Sequence, residues 1–155
     1  MMPKGMYESH TALASAMWRE GTLDTPLREL LRLKCAELAG CVRCARTRFV
    51  EAQEEGLTEE DIRQISNPAA STLSERDQTA LFFEELLITS PQGITDELFD
   101  EMRRWFSDAQ IVELCFFVLT YNMLQRFNAA IDLDPHGDGL VLGSIDGYRV
   151  IAAEA

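Results

Sequence analysis

The chain has 155 residues, 46% of them hydrophobic and 26% charged, enough for one well-buried domain and cramped for two. Its formal net charge of -12 argues against a nucleic-acid partner, because phosphate binding needs an excess of Lys and Arg gathered in a basic patch, and it disfavours adhesion to an anionic membrane surface. The N-terminal MMPKGMYESH lacks the apolar core of a signal peptide and the longest apolar run, Leu114 to Thr120, is too short to span a bilayer, so the four cysteines are expected reduced in the cytoplasm unless they are catalytic.

In chain order the pattern is helical nearly throughout, with no convincing period-2 alternation before residue 138. A first helix is expected over about Tyr7 to Arg19, ending near Gly21. Pro26 suits the first turn of a second, which carries Leu27, Leu30, Leu31, Leu33, Cys35 and Leu38 on a broad apolar stripe. Gly40 punctuates, and a third helix is expected from the cysteines to Glu55, with Gly56 as its C-cap. Thr58 to Asp61 reads as a capping box opening a short fourth helix that Asn67-Pro68 ends. Ser74 opens a fifth that stops before Pro91, Thr95 caps a sixth, and Ser107 or Asp108 caps a long seventh reaching Ala130.

That seventh helix is apolar on nearly every face, which predicts that subunits pack against one another along it. After Asp134-Pro135, the Gly-rich stretch HGDGLVLGSIDGYRV is expected to form an extended tail or a small hairpin turning at Ile145-Asp146-Gly147. The domain is therefore drawn as residues 1–133, with 134–155 as a C-terminal tail.

The chemistry-bearing motif is Cys41-Val-Arg-Cys44, twelve residues after Glu29. It lies where the helical pattern breaks and restarts. Unpaired backbone N–H groups at a helix start favour a thiolate, the form that attacks peroxides and disulfides. Glu29 has leucines around it. If it points inward, burial makes it a usable base; if outward, it is a solvated acid or a partner of Arg28 or Arg32. Cys35 and Cys115 fall within apolar stripes and read as small core residues. His10 and His136 keep no spacing to the cysteine pair, and a zinc site would need two more ligands than the motif offers, so no metal and no cofactor is expected.

The stretch LRELLRLKCAELAGCVRCARTRFVEAQEEGLTEEDI resembles the core motif of the carboxymuconolactone decarboxylase and alkylhydroperoxidase D-like family. Glu29, Cys41, Cys44, Ala52, Gly56, Leu57, Thr58 and Glu60 fill that motif. The later helices, with Arg-Phe-Asn near residue 128, are similar too, and the likeness covers roughly residues 10 to 133. It implies an all-α, alkylhydroperoxidase D-like bundle of about seven helices that assembles as homodimers, trimers or hexamers. It further implies a peroxiredoxin-type oxidoreductase, with a small hydroperoxide as substrate and a thiol or dithiol reductant as partner. In that scheme Cys44 is peroxidatic, Cys41 resolving and Glu29 the proton acceptor.

One departure bears on the mechanism. The family's relay histidine lies four residues after the second cysteine, and here that position is Arg48, which stays protonated and cannot shuttle a proton. Arg48 is either a thiolate or anion contact, or a structural partner of Glu29 or Glu51. Arg43 and Arg46 add two cations to the same segment. The alternatives are a non-catalytic or redox-sensing helical oligomer, and a lactone decarboxylase, a branch that tends to lack the paired thiols and to use histidine.

Overall fold

The computed structural model describes residues 3–132 and 139–145, together with the backbone of 149–153. Eight α-helices carry the architecture: α1 Lys4–Arg19, α2 Thr25–Ala39, α3 Val42–Arg46, α4 Val50–Glu54, α5 Glu59–Arg63, α6 Glu75–Thr89, α7 Asp96–Arg103 and α8 Asp108–Ala130. Their starts are sequence-local. Asp24, Thr58, Ser74, Thr95 and Ser107 each accept a hydrogen bond from a backbone N–H of the first turn, and Thr58 and Ser107 complete reciprocal capping boxes.

The second helix, α2, lies at the centre, packed against α6, α8 and the short helices that follow it. It is buried from Thr25 to Ala36, including Arg28, Glu29, Arg32 and Lys34. Charges at such depth need partners, and each has one. Arg28 donates to the carbonyls of Met17 and Trp18 and stacks over the Trp18 ring. Lys34 pairs with Glu85 at 3.1 Å. The apolar core around them joins Trp18, Leu27, Leu31, Phe83, Met102, Leu114, Phe117 and Tyr121. The Trp18 indole N–H donates to the Tyr121 hydroxyl at 2.5 Å.

The expected third helix, from the cysteines to Glu55, is not continuous. Residues Thr47–Phe49 open into a strand, β1, between α3 and α4. Long-range contacts override the local helical preference here. β1 pairs in parallel with β2 (Val141–Ser144), which pairs antiparallel with β3 (Arg149–Ala153). Gly143 allows the close approach of this sheet: a Cβ there would meet Phe49 Cδ1 and Cε1 at 2.9 Å. The C-terminal segment is thus a strand pair docked on the chain just past the cysteines. The expected domain boundary at 133/134 and the Asp146-Gly147 turn lie outside the described residues.

The long helix α8 is two-faced in the single chain. Ile111, Leu114, Phe117, Val118 and Tyr121 are buried, while Val112, Phe116, Leu119, Met123 and Phe127 are 44% to 68% exposed. Among the described residues no helix is long and apolar enough to cross a membrane.

Candidate functional site

Gly40 ends α2 in the left-handed conformation, φ 66°, which glycine adopts without Cβ strain. The Cys41 N–H then returns to the Ala36 carbonyl at 3.0 Å, closing the helix end and fixing where the next residues emerge. Cys41 is the N-cap of α3, and its sulfur accepts the Cys44 N–H at 3.3 Å. Cys41 and Cys44 are joined as a disulfide. Cys41 is 2% exposed and Cys44 9%, so both are buried and Cys44 is the residue nearer the surface. Both pack on Ala36, with Ala129 of α8 against them.

Glu29 points inward, 1% exposed, as the inward alternative requires. It also pairs with Arg32, which the sequence offered only for an outward glutamate. Arg32 Nε and Nη2 donate to the two carboxylate oxygens at 2.6 and 2.7 Å, a bidentate pair. Arg32 further donates to the carbonyls of Cys44, at 2.8 Å, and Thr47, at 2.6 Å, and the Phe49 N–H donates to Glu29 Oε1 at 3.1 Å. The pair therefore satisfies the backbone of the 44–49 segment where it leaves the helix, and it ties the carbonyl of Cys44 to α2. Arg32 also lies over the Phe49 ring, 5.0 Å from its centroid.

Arg48 is buried and its partners are neither Glu29 nor Glu51. Its guanidinium pairs with Glu59, Nε to Oε1 at 2.8 Å, and donates to the carbonyls of Ala45 and Thr47. The four residues singled out by sequence are thus brought together as a dithiol flanked by two arginine clamps on its backbone: Glu29 with Arg32 on one side, Arg48 with Glu59 on the other. Arg46 donates to the Gly139 carbonyl at 3.0 Å, joining α3 to the C-terminal segment.

Two further residues belong to this site and were not singled out. From the sequence Arg32 reads only as the partner of an outward Glu29. Asn128, on α8, donates from Nδ2 toward the Cys44 sulfur at 3.6 Å. Its position in the Arg-Phe-Asn that matches the family was the available signal. Deeper in, Cys35 contacts Glu84 Oε1 at 3.0 Å and the Val118 carbonyl at 3.4 Å. Burial pushes both the Cys35 thiol and the Glu84 carboxyl well above their ordinary ranges. Among the described residues no group of three or more His, Cys, Asp or Glu side chains is placed to hold a metal ion.

Residues 5–82 match the carboxymuconolactone decarboxylase family. The chain belongs to that family. It is 32% identical over 105 residues to the uncharacterized protein Rv2313c of Mycobacterium tuberculosis, covering 67% of this chain and 37% of the relative, so the chain spans little more than a third of that protein's length. Among solved structures it is similar to an Agrobacterium tumefaciens protein of unknown function described as a putative antioxidant defence protein, AhpD, with TM-score 0.74, 21% identity and coverage of 85% and 90% of the two chains. It is also similar to an uncharacterized peroxidase-related protein of Ralstonia eutropha with an alkylhydroperoxidase AhpD core, TM-score 0.72, 15% identity, coverage 81% and 68%. These likenesses establish the alkylhydroperoxidase D-like helical fold for this family member.

Proposed function

We propose that this protein is a thiol-dependent peroxidase that reduces hydroperoxides through Cys44 and Cys41. The observation that carries the reading is the Cys41–Cys44 disulfide just past the end of α2, with Cys44 the more exposed residue of the two. In the reduced protein the Cys44 thiolate attacks the distal peroxide oxygen. An S–O bond forms, the O–O bond breaks, and the alkoxide leaves as the alcohol after taking a proton from solvent. The Cys41 sulfur then attacks the sulfenic acid sulfur, forming the disulfide and releasing water. A dithiol reductant returns two electrons and two protons by thiol–disulfide exchange.

In this reading Glu29 acts through Arg32 on the backbone that carries Cys44, and Arg48, held by Glu59, acts directly on the carbonyls of Ala45 and Thr47. No histidine relay is needed if the Cys44 thiol ionises directly to solvent. The substitution R48H tests that assignment: it is expected to lower stability and leave peroxidase turnover no higher than in the native protein. A rise in turnover would restore the relay idea.

The deciding experiment is peroxide consumption under excess dithiothreitol. Multiple turnovers are expected, lost in C44S; pre-reduced C41S, assayed with no added thiol, is expected to react once and stop. One turnover in the native protein would favour the second reading, a redox-sensing dithiol, which the engagement of Glu29 by Arg32 supports.

The reading includes self-association through the exposed face of α8. The net charge of -12 opposes the approach of two copies, yet Val112, Phe116, Leu119, Met123 and Phe127 form one uncharged stripe along which they can meet. Sedimentation of L119E is expected to give a smaller species than the native protein. Equal species would remove α8 from the interface.

A further inference from the structure

Ionising Cys44 requires something to hold negative charge on its sulfur, and three arginines nearby bond to carboxylates and carbonyls. Arg32 donates to Glu29 and to the carbonyls of Cys44 and Thr47. Arg48 donates to Glu59 and to the carbonyls of Ala45 and Thr47. Arg46 Nη1 reaches the Gly139 carbonyl. The Cys44 N–H is itself used on the Cys41 sulfur. A side-chain donor to the Cys44 sulfur comes instead from 84 residues away, the Asn128 amide at 3.6 Å.

The placement of that amide is built into the packing. Ala129, its chain neighbour, packs against Ala36, Cys41 and Cys44, so the end of α8 is seated on the dithiol. Three residues before Asn128 on α8, the buried Gln125 donates to the Arg32 carbonyl at 2.9 Å, fixing α8 to the middle of α2. Two anchors, one on each side along the helix, thus hold Asn128 over Cys44.

We propose that Asn128 is a catalytic residue, its Nδ2–H donating to the Cys44 sulfur and stabilising the thiolate after reduction of the disulfide. A disulfide sulfur is a weak acceptor and a thiolate a strong one, so the contact strengthens in the reduced state, where attack begins. The amide stays neutral at every working pH. It therefore favours the thiolate without taking up a proton, which suits a site whose histidine position is occupied by Arg48. The role in turnover rests on the thiol-peroxidase reading; the effect on Cys44 ionisation does not.

The test is the pH dependence of iodoacetamide alkylation of Cys44 in the reduced, full-length protein, followed by peptide mapping. In N128A the midpoint is expected to rise by about one pH unit, the size of a lost hydrogen bond to a charged group. In N128D, which keeps the shape of the side chain and replaces the donor with a carboxylate, it is expected to rise further. Far-UV circular dichroism and Tm establish that each variant is folded; because Asp is nearly isosteric with Asn, N128D keeps the test open if the alanine variant fails to fold. Midpoints unchanged within about 0.2 unit in a folded variant overturn the proposal, since one lost bond is worth several times that. If midpoints shift while the native protein shows no peroxide turnover, Asn128 stands and the peroxidase reading falls. If turnover is present and the midpoints do not move, Asn128 alone falls.

Discussion

Cys35 and the Cys41–Cys44 pair lie within nine residues of one another, yet the fold gives them opposite chemistry. Cys35 sits in the core of α2 with a buried carboxyl and a backbone carbonyl as neighbours, so burial above all disfavours its thiolate, and any charge on Glu84 adds to that. Cys44 lies just past the left-handed turn at Gly40, 9% exposed, with an amide donor at its sulfur. Reactivity here is set by neighbours and depth; the residue type is the same. The element dividing the two environments is the end of α2, stabilised by Glu29 and Arg32, whose bonds reach over to the segment carrying Cys44.

The sharpest way to break that contrast is to remove the divider. In R32M, Glu29 stays buried without its cation, the Cys44 carbonyl loses its Arg32 donor, and the Thr47 carbonyl is left with Arg48. Losing one partner of a buried pair costs about 3–5 kcal/mol, and urea unfolding is expected to show a loss of that size. The double variant E29Q/R32M removes the stranded charge and is expected to recover part of it. A loss under about 1 kcal/mol in R32M would mean the pair holds neither α2 nor the cysteine segment together.

The next effect is kinetic. In the reduced native protein, iodoacetamide is expected to modify Cys44 at least about a hundredfold faster than Cys35, because Cys35 must wait for a local opening of the core. Denaturation should erase the difference. Comparable native rates would show that the Cys35 environment opens freely, and the comparison would lose its basis.

Much of this arrangement was legible in the sequence, and the limits have a common cause. Local chemistry announced itself: Ser107, Thr58, Ser74 and Thr95 cap the helices they were expected to cap, and Gly40 breaks the chain just before Cys41. The inward turn of Glu29 is one of the two alternatives that its leucine neighbours leave open. What stayed hidden depends on residues distant in the chain. Thr47–Phe49 opens because Glu29, Arg32 and β2 take up its backbone groups. Arg48 finds Glu59, which begins the helix after next, and Asn128 reaches Cys44 across 84 residues. Helical periodicity carries no information about which distant side chain satisfies an opened turn.

The smallest expected effect is the most specific to the core site. Glu84 is buried, its Oε2 has no hydrogen-bond partner among the described residues, and burial raises its pKa well above the ordinary value of 4.5. The folded protein therefore keeps a proton that the unfolded chain releases. Below the ordinary carboxylate range both states hold it, and the contribution to stability is fully present. As pH rises from 4.5 toward the raised folded value, the unfolded state binds fewer protons than the native state, and stability falls by up to about 1.4 kcal/mol per pH unit. E84Q carries a neutral side chain of the same shape, so its stability should be flat across that window and exceed that of the native protein toward the alkaline end. Urea midpoints taken from pH 4 upward check both features. A native curve that rises with pH, or an E84Q curve parallel to it, would show that Glu84 is ionised in the core. An ionised Glu84 would then add its charge to depth in keeping Cys35 protonated.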